Sequence, residues 1–194
     1  MKLDINNMTN LLYLFAPFIL VCYFLLFSMI NMEIKGIIFL IGLLISIIVT
    51  VFIGNGLVEQ NSNMNSIKNE LCNFVTINHI VNISNVPLSI TVYCFTAFYL
   101  LYTMAVNNSI VPNLVSLIFF GILILTDILW LTKNNCFNGI NITIAMLISS
   151  LMGVLWGYII NKSNNKALQY FTGDDKVCSI PKKKYFKCKT KKLE

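Results

Sequence analysis

Apolar and polar positions follow one another along this chain in long blocks, with no short alternating period. Five apolar runs, residues 11–31, 37–53, 86–106, 110–131 and 140–160, are separated by polar stretches. A helix needs roughly 20 apolar residues to cross about 30 Å of hydrocarbon, and the runs are close to that length. None contains a lysine, and Asp127 is the one formal charge inside any of them. The pattern predicts an all-α polytopic membrane protein, a bundle of about five transmembrane helices over residues 1–161. The first run is longer than a signal-peptide core and no small-x-small cleavage site follows it, so it is expected to stay as a span.

The polar stretches set the connections. Runs one and two are joined by "NMEIKG" as a helical hairpin. The long loop 54–85 opens with Gly54 and Gly56, expected to break the second helix. Further along it, Ile67, Leu71 and Phe74 recur at helical spacing, which suggests a short interfacial helix near 64–75. Pro87 and Pro112 are expected to open the third and fourth helices, where a missing N–H costs nothing. In the last run Ala145, Ser149, Gly153 and Gly157 recur every four residues. Such a ridge lets backbones approach closely in lipid. It is expected to pack inside the protein against spans three and four, with homodimerisation as the alternative.

Composition sharpens this picture. With 57% hydrophobic and 11% charged residues in 194, the chain carries more apolar surface than a soluble domain of this size hides. The net charge of +6 is lopsided: ten of the 14 lysines follow Asn161, against three acids, so residues 162–194 read as a soluble basic tail. Lysine-rich flanks stay cytoplasmic. That puts the C-terminus in the cytoplasm, with the N-terminus, loop 54–85 and loop 132–139 on the outer face. The lysines Lys182, Lys183, Lys184, Lys187, Lys189, Lys191 and Lys192, interleaved with Tyr185 and Phe186, suit several partners. Anionic lipid headgroups are one, at ~1 kcal/mol per lysine. An acidic protein partner is another, and nucleic acid would use the same electrostatics. The run also serves as a topology determinant with no ligand at all. Arginine is absent and asparagine abundant, the bias of an AT-rich genome. In such a chain the five sequons at Asn7, Asn82, Asn107, Asn141 and Asn161 carry little weight.

Candidate chemistry is sparse. Asp127 is expected at the interface beside Trp130 and Lys133, reaching headgroups or water; the alternative is a buried functional carboxylate. His79, the one histidine, is expected to be a solvated loop side chain. Cys22 and Cys94 lie inside spans as small apolar residues. Cys72 and Cys136 fall on the two outer loops and are placed to pair in an oxidising compartment. Cys178 and Cys188 lack metal-ligand spacing. No metal and no cofactor are expected.

The order of elements is two spans, a long outer loop, a proline-led span, another span, a short outer loop and a glycine-ridged span. The loop carries "ELCNF" about fifteen residues ahead of "VPLS", and "TKNNCFNGINITIAMLISSLMGVLWG" follows later. Over residues 37–160 this resembles the type 2 phosphatidic acid phosphatase superfamily with its first helix missing, and in particular the members found in large DNA viruses. In that family one histidine attacks phosphorus, a second protonates the leaving oxygen, and arginines with a lysine hold the phosphoryl charge. Pro87 matches the motif proline, Leu88 the serine, Ser89 the glycine and Ile90 the acid histidine. Thr132 and Lys133 stand where Ser-Arg is expected, and Asn141 falls near the nucleophile. With no arginine and one histidine, the resemblance implies the scaffold without its chemistry. The function it implies is a non-catalytic structural component of a membrane-bound assembly, such as a virion with an internal membrane, whose tail would tie the bilayer to a capsid protein or another layer. An accessory subunit of an organellar or transport complex, and a lipid-phosphate phosphatase with atypical residues, are the alternatives.

Overall fold

The structure, a computed structural model, describes residues 5–32, 34–59, 86–163 and 168–170. Among these residues there are five helices and no strand: α1 (Ile5–Ile30), α2 (Lys35–Glu59), α3 (Leu88–Val106), α4 (Leu114–Lys133) and α5 (Gly139–Lys162). Helices α2 to α5 are each long and apolar enough to cross a membrane, with 19 to 25 residues giving rods of about 28–38 Å. They mark the chain as a multi-pass membrane protein. In α1, 26 residues long, the apolar stretch with described side chains is Phe15–Ile30.

Two expected boundaries move. Helix α2 does not stop at Gly54 or Gly56 but runs through both to Glu59. Gly54 is a packing notch: a Cβ there would lie 2.6 Å from the Val86 side chain. Glycine is common in membrane helices and does not by itself end one. Pro112 does not open α4; it sits in the turn 110–113, and Asn113 is the cap residue. Pro87 does stand immediately ahead of α3, as an extended N-cap (φ −70°, ψ 116°).

Three helices end in the same way. At Asn31-Met32, Asn107-Asn108 and Asn134-Asn135 the second residue takes a left-handed conformation, with φ of 51°, 51° and 50°. The first residue donates its amide to the carbonyl four positions back: Asn31 to Phe27 (2.8 Å), Asn107 to Thr103 (2.9 Å) and Asn134 to Trp130 (2.9 Å). After α3 and α4 the next N–H also turns back, Ser109 to Met104 O (2.9 Å) and Cys136 to Leu131 O (3.0 Å). After α3 and α4 these are Schellman closures, and asparagine is the non-glycine residue best suited to the left-handed position. Terminal carbonyls that lipid cannot satisfy are thereby occupied. The asparagine content, a compositional bias at first sight, has a structural use at these three ends.

Helix α3 is the hub, packed against all four others. The α5 ridge lies along it. Ala145 and Ser149 are fully buried. A Cβ at Gly153 would come within 2.6 Å of Phe95 O, and one at Gly157 within 2.7 Å of the Tyr102 ring. Backbone meets backbone here, which only small residues allow. A second four-residue ridge, not anticipated from the sequence, runs along α2: Gly42, Ser46, Thr50 and Gly54 are all buried. Trp156 of α5 lies over Gly42 and donates its indole N–H to Ile38 O (3.2 Å), tying α5 to α2.

The packed core also continues beyond residue 161, where the sequence places the end of the bundle. Lys162 belongs to α5, and Gln169 and Tyr170 are 3% and 7% exposed. Tyr170 packs against Phe24, Phe39 and Tyr99, so helices α1, α2 and α3 all touch a residue assigned by sequence to the tail. The tail lysines at 182–192 lie outside the described residues.

Candidate functional site

The positions that the resemblance assigns to chemistry lie at one end of the bundle, where α3 begins, α4 ends and α5 begins. Pro87 is buried as the N-cap of α3, and Leu88 and Ser89 are half-buried in its first turn. Ile90 is fully enclosed. It belongs to an apolar cluster with Val86, Cys94, Leu131, Cys136, Ile142 and Ala145, contributed by all three helices and the loop between α4 and α5. The position that the resemblance matches to an acid histidine is thus an isoleucine enclosed by hydrocarbon.

Thr132 and Lys133, at the end of α4, are exposed. The Thr132 hydroxyl is spent on its own helix, donating to Ile128 O (2.8 Å) and Leu129 O (3.1 Å). Asn141 is half-buried in the first turn of α5, its backbone N–H donating to Asn138 O (3.0 Å). The structure therefore gathers Ile90, Cys136 and Ala145 into one cluster and leaves Thr132 and Lys133 facing outward.

One polar contact in this region was not foreseen. The Ser89 hydroxyl donates to Asp127 Oδ2 at 2.7 Å, joining α3 to α4. Asp127 is 2% exposed. The expectation of an interfacial aspartate reaching headgroups or water is corrected: the carboxylate is turned inward and held by a hydroxyl. A carboxylate in a membrane helix must find a polar partner or stay in water. The sequence carries half of this signal, since Asp127 is the one charge in a span. It does not choose among Ser89, Thr91 and Thr143 as partner, because helix stagger and rotation decide that.

The threonine hydroxyls of α3 are self-contained. Thr91, Thr96 and Thr103 are buried and return their protons to carbonyls of their own helix, at 3.2, 2.7 and 2.9 Å. In α5 the Ser149 hydroxyl does the same toward Ala145 O. Among the described residues no group of three histidine, cysteine or acidic side chains is gathered as for a metal.

Cys22 and Cys94 are free, the first exposed on α1 and the second buried. Cys136 is 1% exposed and disulfide-bonded. Its expected partner Cys72 lies outside the described residues, as do His79, the expected interfacial helix near 64–75, and Cys178 and Cys188. No protein-family model, curated protein or solved structure matches the chain.

Proposed function

We propose that this chain is a non-catalytic integral membrane protein, a structural component of a membrane-bound assembly in which its basic tail contacts a neighbouring protein layer. A virion with an internal lipid membrane is the assembly that the sequence resemblance favours. The observation that carries the reading is Ile90. At the position of a proton donor stands a side chain with no proton to give, 0% exposed within an apolar cluster. A substrate phosphate would have no room beside it. The remaining support is the character of the outer surface. Leu114, Ile118, Ile122, Leu125 and Leu129 of α4 and Leu147, Leu151, Leu155 and Ile159 of α5 are all exposed, a girdle suited to acyl chains. The lysine-rich C-terminus is taken to be cytoplasmic, and with helix α1 as a fifth span beside the other four the N-terminus lies on the opposite face.

The deciding assay is phosphate release from phosphatidic acid by the purified protein in detergent micelles. The expected result is none above a protein-free blank. Release that is abolished by Ser89→Ala or Lys133→Ala would overturn the reading. Crosslinking mass spectrometry from Lys182–Lys192 in the native membrane is expected to identify an assembly protein as neighbour.

A further inference from the structure

Helix α1 is held to the bundle by little of its own surface. Among its described side chains Pro17, Phe24 and Ser28 are the buried ones, spaced seven and four residues apart on a single narrow stripe. Phe15, Phe18, Ile19, Tyr23, Leu26, Phe27, Met29 and Ile30 are exposed around it. In lipid such a helix gains nothing from burying apolar area and stays docked only through packing and polar ties.

Two of those ties go to α4 and α2: Tyr13 stacks on Trp130 at 5.6 Å, and the Gly36 N–H donates to Ser28 Oγ at 2.9 Å. A third set reaches the segment that follows α5. Tyr170 meets Phe24 of α1 edge-on at 5.4 Å, Phe39 of α2 at 6.4 Å and Tyr99 of α3 at 6.5 Å. Phe24 in turn packs on Phe39 at 5.0 Å. The Tyr170 hydroxyl reaches Phe24 O at 3.4 Å, a long and therefore weak bond, so the ring carries most of the contact. One residue earlier, Gln169 accepts from Asn107 Nδ2 (3.3 Å) and donates to Asn161 Oδ1 (3.2 Å). It is thereby fixed to the turn after α3 and to the last turns of α5. Leu168 packs against the same core.

We infer that Leu168–Tyr170 is a clasp that makes the docking of α1 conditional on the chain that follows α5. Gln169 anchors it to the rigid α3 and α5, and Tyr170 extends from that anchor as the wedge against which Phe24 sits. Withdrawal of the wedge leaves α3 and α5 joined through the Gly153 contact and loosens α1, which keeps the Tyr13–Trp130 stack and the Gly36–Ser28 bond. The device lies beyond the structural role proposed above and does not depend on it. It gives the bundle one helix that can be loosened, controlled from the end at which the tail emerges.

The test uses the full chain reconstituted in phosphatidylcholine vesicles, with spin labels at Met29 and Ile159, both exposed. The distance between α1 and α5 is read by pulsed electron resonance. A second label pair, at Phe52 of α2 and Leu147 of α5, reports whether the rest of the bundle is intact. The parent protein is expected to give one narrow distribution. Tyr170→Ala should broaden and lengthen the α1–α5 distribution with no change in the α2–α5 pair. Tyr170→Phe should match the parent, because the ring remains, and Gln169→Ala should give an intermediate shift. The inference fails if Tyr170→Ala leaves the α1–α5 distances unmoved. It fails equally if α1 moves only when the α2–α5 pair is lost. Should Tyr170→Ala not fold, Gln169→Ala decides: an unchanged α1 in that variant overturns the clasp.

Discussion

Helices α3 and α4 are nearly equal in length, 19 and 20 residues, and pack side by side, yet they occupy opposite situations. Helix α3 buries twelve side chains, among them Thr91, Thr96, Thr103, Tyr93 and Cys94. Helix α4 buries Phe120, Asp127 and Leu131, packs Leu117, Leu123, Ile124 and Ile128 half-buried against the core, and turns Leu114, Ile118, Ile122, Leu125 and Leu129 outward. The more apolar helix is thus the peripheral one. In water the ranking would be reversed, because burial of apolar area drives folding there. In lipid, tails are as apolar as leucine, and the interior position goes to the helix whose neighbours can approach its backbone. Helix α3 has such a neighbour in the ridge of α5. Helix α4 instead is joined to it by the Ser89–Asp127 bond and a few large side chains.

That contrast can be broken most severely at Gly153. Gly153→Leu would drive a side chain into the Phe95 carbonyl of α3 and should destabilise the bundle by about 3 kcal/mol. Gly121→Leu in α4, where a Cβ meets nothing within 4 Å, should cost less than about 0.5 kcal/mol. Unfolding in bicelles measures both, and equal costs would show that the ridge is not what distinguishes the two helices. A step down in size is the α3–α4 bond. A double-mutant cycle of Ser89→Ala and Asp127→Ala should return a coupling of about 1 kcal/mol. Strict additivity would remove the bond as the tie between these helices.

Smaller again is the link from α5 to α2. Trp156→Phe keeps a ring over Gly42 but removes the donor to Ile38 O, and should cost about 0.5–1 kcal/mol by the same unfolding measurement. No loss at all would mean that ring packing alone makes that contact. The smallest effect is expected at Thr50. Its hydroxyl, like that of Ser46, is buried without a hydrogen-bond partner among the described residues. Thr50→Val replaces it with a methyl of similar shape and should leave stability unchanged or raise it by up to about 1 kcal/mol. A clear loss would mean that the hydroxyl is engaged in the native bundle.

Much of the fold was legible before any coordinates. Apolar runs of spanning length follow from the thickness of hydrocarbon, so α2 to α5 each appear in the sequence as a run, although α2 continues six residues past the end of its run. The α5 ridge was legible as well, because four small residues at four-residue spacing have one geometric meaning on a helix. Gly42, Ser46, Thr50 and Gly54 hold the same spacing on α2, but two of the four are hydroxylated and Gly54 also reads as a helix breaker. Asn107-Asn108 and Asn134-Asn135 could also have been read as helix closures, because a left-handed residue after the cap suits asparagine.

By itself, then, the sequence determined that the chain is helical, that it is membrane-spanning and which face of α5 would pack, since each of these depends on local composition and spacing. Tertiary structure alone decided that α3 would be central, that Ser89 would meet Asp127 and that Tyr170 would return from beyond α5 to wedge against α1. These contacts join residues 38 and 146 positions apart. They depend on how helices rotate and slide against one another in lipid, where hydrophobicity no longer separates inside from outside, and nothing in a linear pattern records that.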